Sequence, residues 1–457
     1  MGIFNKIAQY KQYKKGISHC TFNPEGPGVV RIHLVPPAFR LFSSDSYIVI
    51  LNGYYLLPIG YSWAVVLSAF MEQANKYDAR PVSEAEEAGI FRQTVKSVRK
   101  AYPLLSEKYI EADLQEILGI LFSVARGEIS REAMGHFSLR AYAPAMTAPH
   151  RMDLMVSAMT DNDGKWNCNQ KCVFCYAAGQ CMSGTKELNT AEWKTILDRL
   201  YDARIPMVTF TGGEPTIRND LVELIRHAHR FVTRLNTNGI KLTKELCLQL
   251  KSASLDSVQI TLYSSDESIH NSLVGGAHFS ETVKGIENAV NAGLDVSVNT
   301  PLCKANADYL STLKLVSSLG VRFVTASGLI CTGSAEECHS DADLSKNELT
   351  EIIRNAKSYC DENAMEIDFT SPGLIDADAL YDMGMNVPSC GAALSNMAVC
   401  PDGSVIPCQS WLTDEYVAGN ALYDDFSVIW SNEKCVRLRN MSEDECLHCP
   451  FRKRGER

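Results

Sequence analysis

The stretch Trp166-Asn-Cys-Asn-Gln-Lys-Cys-Val-Phe-Cys-Tyr176 decides how the rest of the chain is interpreted. Its cysteines, Cys168, Cys172 and Cys175, are separated by three and then two residues. A cubane iron–sulfur cluster normally takes four thiolates, so a loop that supplies three leaves one iron free to bind another ligand. The alternatives to an iron–sulfur cluster on these three cysteines are a redox pair and a zinc site. Zinc usually takes four ligands in Cys-x2-4-Cys pairs, and distant Cys or His side chains would have to complete the set.

The spacing Cys-x3-Cys-x-aromatic-Cys resembles the signature of the radical S-adenosylmethionine (SAM) superfamily. The resemblance implies that Cys168, Cys172 and Cys175 bind a [4Fe–4S] cluster whose fourth iron is chelated by the amino and carboxylate groups of SAM. One electron then breaks the sulfonium and gives a 5′-deoxyadenosyl radical. The resemblance also places Phe174 beside the adenine.

Composition bounds the function class. A length of 457 residues predicts roughly three domains. A net charge of −10 gives no basic excess, so no nucleic-acid partner is expected. The 16 cysteines, without an N-terminal signal peptide, predict a cytoplasmic protein whose thiols serve metals and not disulfides.

The uncharged run from Tyr47 to Met71 is long enough to raise the question of a transmembrane helix. However, Asn52-Gly53 lies between two β-prone runs, and this dipeptide is the strongest short hairpin signal. Pro58 and Gly60 then break the chain again. We therefore predict a β-hairpin followed by a helix, and no membrane partner.

Residues 1–105 are predicted to form a small separate domain, and residues 106–150 a helical bridge. The expected elements are strands at 29–34, 38–42 and in the hairpin, and helices at 62–77, from the capping box Ser83/Glu86 to Ala101, at 106–126 and at 130–136. The order of strands and helices predicted in the first 105 residues resembles that of a small winged-helix domain, which recognises leader peptides and is found beside peptide-modifying enzymes. That resemblance implies that an edge strand binds a substrate leader by strand addition. A structural cap is the alternative.

Residues 151–370 alternate short β-rich runs with amphipathic helices. Strands are predicted at 153–159, 206–211, 234–236, 257–262, 295–300 and 321–327, and helices at 190–202, 220–229, 243–252, 280–292, 307–319 and 345–363. Such βα units in series predict an α/β fold with a parallel sheet. The superfamily folds this pattern as a partial (β/α)6 barrel with its site at the carboxyl ends of the strands, where barrel sites generally lie.

The ends of the predicted strands carry candidate SAM-binding residues. Thr211-Gly-Gly-Glu-Pro215 resembles the family's Gly-Gly-Glu-Pro stretch, which implies that Gly212, Gly213 and Glu214 bind the amino group of SAM. Asn236, Thr261 and Ser264 match the family less closely, and each could instead cap the next helix.

One motif departs from the family. His270-Asn-Ser-Leu-Val-Gly275 resembles the family's His-Asp-x-x-Arg-Gly, but Val274 replaces the arginine that pairs with the carboxylate of SAM. The residue that balances this charge cannot be named from the sequence.

Residues 371–457 contain a second set of cysteines. The run from Cys390 through Gly403 to Cys408, followed by Cys446-Leu-His-Cys449, resembles the auxiliary-cluster domains called SPASM and Twitch. No cysteine follows Cys449, so the resemblance favours one auxiliary [4Fe–4S] cluster on Cys390, Cys408, Cys446 and Cys449. Cys400 could substitute for one of them, and a zinc ribbon on the same thiols is the alternative.

A second cluster near the substrate can accept the electron that a substrate radical leaves behind, which makes the net reaction an oxidation, or it can hold the substrate by ligation. The resemblance therefore predicts a radical SAM enzyme that modifies a ribosomally made precursor peptide with a leader, forming a thioether or carbon–carbon cross-link. A flavodoxin or ferredoxin would supply electrons. A small-molecule dehydrogenase of Twitch type and a non-enzymatic Cys-rich metal or electron-transfer protein are the alternatives. No catalytic acid or base can be named.

Overall fold

The computed structural model describes residues 17–25, 29–37, 47–53, 55–126, 128, 146–161 and 163–444. These residues form two compact units. The first consists of described residues within 1–150 together with 200–207 and 230–232, and the second of those within 151–199, 208–229 and 233–457.

The first unit contains an antiparallel sheet followed by three helices. The strands pair in chain order and are β1 (Ser18–Phe22), β2 (Val30–Val35), β3 (Tyr47–Leu51) and β4 (Tyr55–Ile59). The helices are α1 (Tyr61–Ala74), α2 (Glu84–Ala101) and α3 (Glu107–Ala125). Asn52 (φ 51°) and Gly53 (φ 67°) form the tight turn between β3 and β4, as the Asn-Gly signal predicts.

The predicted break at Pro58 is wrong. Pro58 lies inside β4, opposite Ile48 of β3. Among the described strands, β4 pairs only with β3, and an edge strand tolerates proline because its missing N–H faces away from the sheet.

Helix α2 begins where the capping box predicts, because the backbone N–H of Ser83 donates to the Glu86 carboxylate at 3.0 Å. Helix α3 buries Ile110, Leu114 and Leu121 in the same core as the preceding helices and the sheet. Residues 107–125 thus pack as part of the first unit, although the sequence assigns them to a bridge. The predicted strand at 38–42 and helix at 130–136 lie outside the described residues.

The second unit is built on a ten-stranded sheet whose order is β11-β10-β9-β8-β7-β6-β5-β12-β13-β14. Its strands are β5 (Arg151–Ser157), β6 (Met207–Gly212), β7 (Val232–Thr237), β8 (Ser257–Thr261), β9 (Asp295–Pro301), β10 (Phe323–Ser327), β11 (Glu366–Phe369), β12 (Asn396–Val399), β13 (Ser404–Ile406) and β14 (Gly419–Asn420). Strands β7 to β11 pair in parallel, and β12 pairs in parallel with β5.

Helices separate most of these strands. They are α4 (Thr190–Asp202), α5 (Leu221–His227), α6 (Lys244–Ser252), α7 (Glu267–Val274), α8 (Phe279–Asn291), α9 (Tyr309–Ser318), α10 (Ala335–Ala342), α11 (Lys346–Glu362), α12 (Ala377–Asp382), α13 (Phe426–Ser431) and α14 (Glu433–Asp444). Every strand and helix predicted between residues 151 and 370 is confirmed, with ends within two residues. The α/β class with a parallel sheet is confirmed as well.

Candidate SAM and iron–sulfur site

The cysteine loop follows β5, the first strand of the βα series. The backbone N–H groups of Lys171 and Val173 donate to the carbonyls of Val274 (3.1 Å) and Leu273 (2.9 Å), the last residues of α7. The carbonyls of the last helical turn have no partner within a helix. The loop therefore uses the end of α7 as its support.

The three thiols of the loop are partly buried and lie within electrostatic range of one another. Burial raises the pKa of Cys168 to about 12, and it raises the pKa values of Cys172 and Cys175, with the neighbouring thiols adding to the effect on Cys172. A metal ligand must be a thiolate, so positive charge from bound iron is what would offset this shift.

Within the described part of the chain, no three His, Cys, Asp or Glu side chains are close enough to hold a single metal ion. A cubane cluster instead binds each thiolate through a different iron, so its ligands stand further apart. Three thiols spaced along one loop fit that demand.

The end of β6 approaches the end of β5 very closely. A Cβ on Gly212, whose φ is +135°, would lie 2.3 Å from the Ser157 carbonyl oxygen, and a Cβ on Gly213 would lie 2.7 Å from that of Ala158. The Gly213 N–H donates to the Ser157 carbonyl at 2.8 Å, and the Cys168 thiol donates to the Gly213 carbonyl at 3.4 Å. The two glycines thus bring this backbone against the cysteine loop.

The Glu214 side chain is 1% exposed and is held by four hydrogen bonds. Oε1 accepts from Thr216 N–H (3.0 Å), the Thr216 hydroxyl (2.5 Å) and the Thr237 hydroxyl (2.6 Å), while Oε2 accepts from Asn238 N–H (2.8 Å). Burial raises the pKa of Glu214, and these donors oppose the shift. The carboxylate therefore fixes the ends of β6 and β7 relative to each other, whatever else it binds.

The remaining predicted residues lie on or beside β7 and β8. Asn236 carries its Oδ1 atom buried and without a hydrogen-bond partner among the described residues, which leaves an acceptor for a ligand. Thr261 ends β8 and is partly exposed. The Ser264 hydroxyl accepts from Asp266 N–H at 3.0 Å, so Ser264 serves the local turn before α7. Phe174 packs against a cluster that includes Tyr263.

Val274 is 1% exposed, and its side chain belongs to the same apolar cluster. Gly275, with φ +69°, ends α7, and a Cβ there would lie 2.4 Å from the Lys171 carbonyl oxygen. The His270–Gly275 motif thus supports the cysteine loop although it lacks the arginine.

Two residues of this site, Asn169 and Tyr263, have no role in the sequence-based prediction. Asn169 Oδ1 accepts from Asn238 Nδ2 at 2.7 Å, which ties the cysteine loop to the end of β7. Tyr263 lies near Cys172, and burial followed by the charge of that thiol raises its pKa. Its position between Thr261 and Ser264 was the available signal.

The C-terminal cysteines are only partly within the described residues. Cys390 is buried and Cys408 is partly exposed. Cys446 and Cys449 lie outside the described residues. Cys400 is fully buried in an apolar cluster with Met155 and Ile406, and burial raises its pKa.

Together, a βα sheet, a three-cysteine loop after its first strand and a glycine turn after its second define an enzyme of SAM-dependent iron–sulfur chemistry. Residues 167–316 match the Radical SAM superfamily, and residues 390–450 match the iron-sulfur cluster-binding domain called SPASM. The chain therefore contains a radical SAM domain and a SPASM domain. Its cofactors are accordingly SAM and a [4Fe–4S] cluster in the radical SAM domain, together with auxiliary iron–sulfur clusters in the SPASM domain.

The relatives that the chain matches include maturases and a heme synthase. Mycofactocin maturase MftC of Mycolicibacterium smegmatis is 27% identical over 292 residues, which are 62% of this chain and 72% of that protein. PqqA peptide cyclase of Bradyrhizobium diazoefficiens is 26% identical over 300 residues, 62% of this chain and 76% of that protein. An AdoMet-dependent heme synthase of Oleidesulfovibrio alaskensis is 25% identical over 307 residues, 62% and 78% respectively.

Among solved structures, SuiB of Streptococcus suis, crystallised with its precursor peptide SuiA, covers 89% of both chains with a TM-score of 0.59 and 15% identity. This likeness confirms the fold. In the described residues, no helix has the length and apolar character needed to cross a membrane.

Proposed function

We propose that this radical SAM enzyme oxidatively modifies a ribosomally made precursor peptide and forms a thioether or carbon–carbon cross-link. One auxiliary [4Fe–4S] cluster, ligated by Cys390, Cys408, Cys446 and Cys449, assists. Similarity to a PqqA peptide cyclase supports a peptide substrate, and so does the fold shared with SuiB, which was crystallised with its precursor peptide. Bound cluster and SAM supply the one-electron chemistry that makes a radical on the substrate.

Residues of this chain would hold those groups. Cys168, Cys172 and Cys175 bind the cluster, and the turn at Gly212, Gly213 and Glu214 receives the amino group of SAM. Phe174 and the unpartnered Oδ1 of Asn236 complete the pocket, with Thr261 and Ser264 at its edge. A flavodoxin or ferredoxin in a reducing cytoplasm supplies the electrons.

The observation that carries the peptide assignment is the edge of the N-terminal sheet. At the outer edge of β1, the His19 carbonyl already accepts a hydrogen bond from Asn75 Nδ2 at 2.8 Å, so it is not open to a leader peptide. Strand β4 pairs only with β3 among the described strands. An extended leader can add to such an edge, using backbone hydrogen bonds for affinity.

Backbone N–H directions alternate along a strand, so Leu56 and Pro58 point their nitrogens to the same side. Proline is tolerated where that side faces away from the sheet, which makes the Leu56 N–H an outward donor. Leu56→Pro should therefore remove a leader contact and leave the β3–β4 ladder intact. Leu56→Ala is the matched control, because it trims the side chain and keeps the N–H.

We expect Leu56→Pro to weaken binding of full-length precursor roughly tenfold, the equivalent of about one hydrogen bond. Binding is measured by fluorescence anisotropy of labelled precursor, and SAM cleavage without peptide serves as the internal reference. Equal precursor affinity in Leu56→Pro and Leu56→Ala would rule out strand addition at β4. Turnover of a free metabolite would instead favour the alternative of a small-molecule dehydrogenase. The similarity to a heme synthase is the observation that supports a small-molecule substrate.

A further inference from the structure

The segment directly after the third cysteine of the SAM site is bonded to the segment directly after Cys408. Gln180 makes two of the links: its Nε2 donates to the Ser410 carbonyl at 2.9 Å, and its Oε1 accepts from Leu412 N–H at 2.9 Å. The Met182 N–H donates to the Leu412 carbonyl at 3.1 Å. We call residues 176–182 the clamp segment.

A further link joins the two ligand positions almost directly. The Tyr176 hydroxyl donates to Gln409 Oε1 at 3.3 Å. Tyr176 is the neighbour of Cys175, and Gln409 is the neighbour of Cys408. One hydrogen bond therefore links the residue next to Cys175, a proposed ligand of the SAM-site cluster, to the residue next to Cys408, a proposed ligand of the auxiliary cluster.

Neither side chain is an ordinary surface contact. Gln180 also donates from Nε2 to the Tyr176 carbonyl at 2.5 Å, so its amide ties the clamp segment to itself as well as to 410–412. The loops carry Tyr176 and Leu412 into the apolar cluster around Met155 and Cys400, and Leu412 is fully buried. The Gln180 amide is partly buried, and its three hydrogen bonds together favour one arrangement of the two loops.

We propose that Gln180 and Tyr176 are positioning residues that hold the SAM-site loop and the Cys408 loop at a fixed separation, and so set the electronic coupling between the two iron–sulfur sites. The inference rests on the auxiliary cluster at Cys408 that the proposed function assigns, and it does not depend on the identity of the substrate. Its failure would leave the peptide proposal standing, and the reverse also holds.

Two variants test it. Gln180→Met keeps the length of the side chain and removes its hydrogen bonds to residues 410 and 412, and Tyr176→Phe removes only the hydroxyl. Gln249→Met and Tyr423→Phe are matched controls at exposed positions.

The first measurement is amide hydrogen exchange on protein without clusters. The Met182 N–H keeps its acceptor in Gln180→Met, so its exchange reports on separation of the loops. We expect it to exchange about tenfold faster or more, because the two hydrogen bonds from Gln180 to residues 410 and 412 are lost.

The second measurement is electron paramagnetic resonance of reconstituted protein with both clusters reduced. Each paramagnetic cluster speeds the spin relaxation of the other, and this effect falls steeply with distance. We expect the SAM-site signal of both variants to saturate at lower microwave power than in the wild type and the controls.

An unchanged saturation power in both variants overturns the inference, even if Met182 exchanges faster. Residues that only stabilise the loops would change amide exchange without changing spin relaxation between the clusters. Unchanged exchange in Gln180→Met overturns it as well. If Gln180→Met does not fold, the saturation power of Tyr176→Phe decides the question alone.

Discussion

Gly212→Ala should destabilise the second unit far more than its change of one methyl group suggests. The residue has φ +135°, which a non-glycine residue adopts only under strain, costing about 1–3 kcal/mol. Its new Cβ would also lie 2.3 Å from Ser157 O and 2.8 Å from Ser157 N. Both are backbone atoms of the neighbouring strand, so β5 and β6 would have to move apart, at a further cost of about 1–3 kcal/mol. We therefore expect a total loss of about 2–6 kcal/mol.

Gly293→Ala separates the two contributions. Gly293 also has positive φ, at +72°, but no atom lies within 4 Å of the position that a Cβ would occupy. Its substitution should cost only the conformational part, about 1 kcal/mol. The assay is urea unfolding under anaerobic conditions, followed by tryptophan fluorescence, with SAM affinity measured on the reconstituted protein. If Gly212→Ala loses no more stability than Gly293→Ala, the close approach of the two strands is refuted.

Three further predictions follow from the site. Thr237→Val removes a buried donor to Glu214 Oε1 and should cost about 1–3 kcal/mol in urea unfolding, whereas Thr195→Val on the exposed face of α4 should cost little. Cys172→Ser should lose one cluster's iron per chain by colorimetric assay and abolish SAM cleavage, while Cys20→Ala in the N-terminal core keeps both. Burial, with a smaller contribution from His278, lowers the pKa of His270 from 6.5 to about 4, so between these values the unfolded chain binds a proton that the folded chain does not. Stability should then rise with pH through that window by up to about 3 kcal/mol, and His270→Gln should flatten the slope; an equal slope in both proteins would contradict this.

The elements that the sequence predicts well are those with local signals. The strands and helices between residues 151 and 370 follow hydrophobic periodicity, and the turn at Asn52-Gly53 follows the backbone preference of that pair. Strands β1 and β11 are not predicted from the sequence, and neither is the place of β12 in the sheet. Its parallel pairing with β5 joins Asn396 to Arg151 across most of the chain, and no local pattern contains such a contact.

In the candidate site, too, residues within contiguous motifs could be predicted from the sequence, and residues from separate segments could not. The cysteines and the glycine turn are contiguous motifs, so their spacing could be read directly. The residues that tie the site together come from separate segments: Asn169 meets Asn238, and Tyr176 meets Gln409. Single polar residues of this kind have no pattern along the chain, and only the folded structure brings them into contact.

The His270–Gly275 motif shows why a departure from a family pattern can leave the architecture unchanged. A helix ends with carbonyls that lack partners, and α7 offers those of Leu273 and Val274 to two N–H groups of the cysteine loop. That support comes from the backbone, so it does not require arginine at position 274. It does require glycine at 275, because the loop passes within 2.4 Å of where a side chain would begin. The valine side chain packs with Cys172 and Phe174 instead of carrying a charge. The motif therefore supports the cysteine loop through its backbone and its glycine, without a charged side chain at position 274.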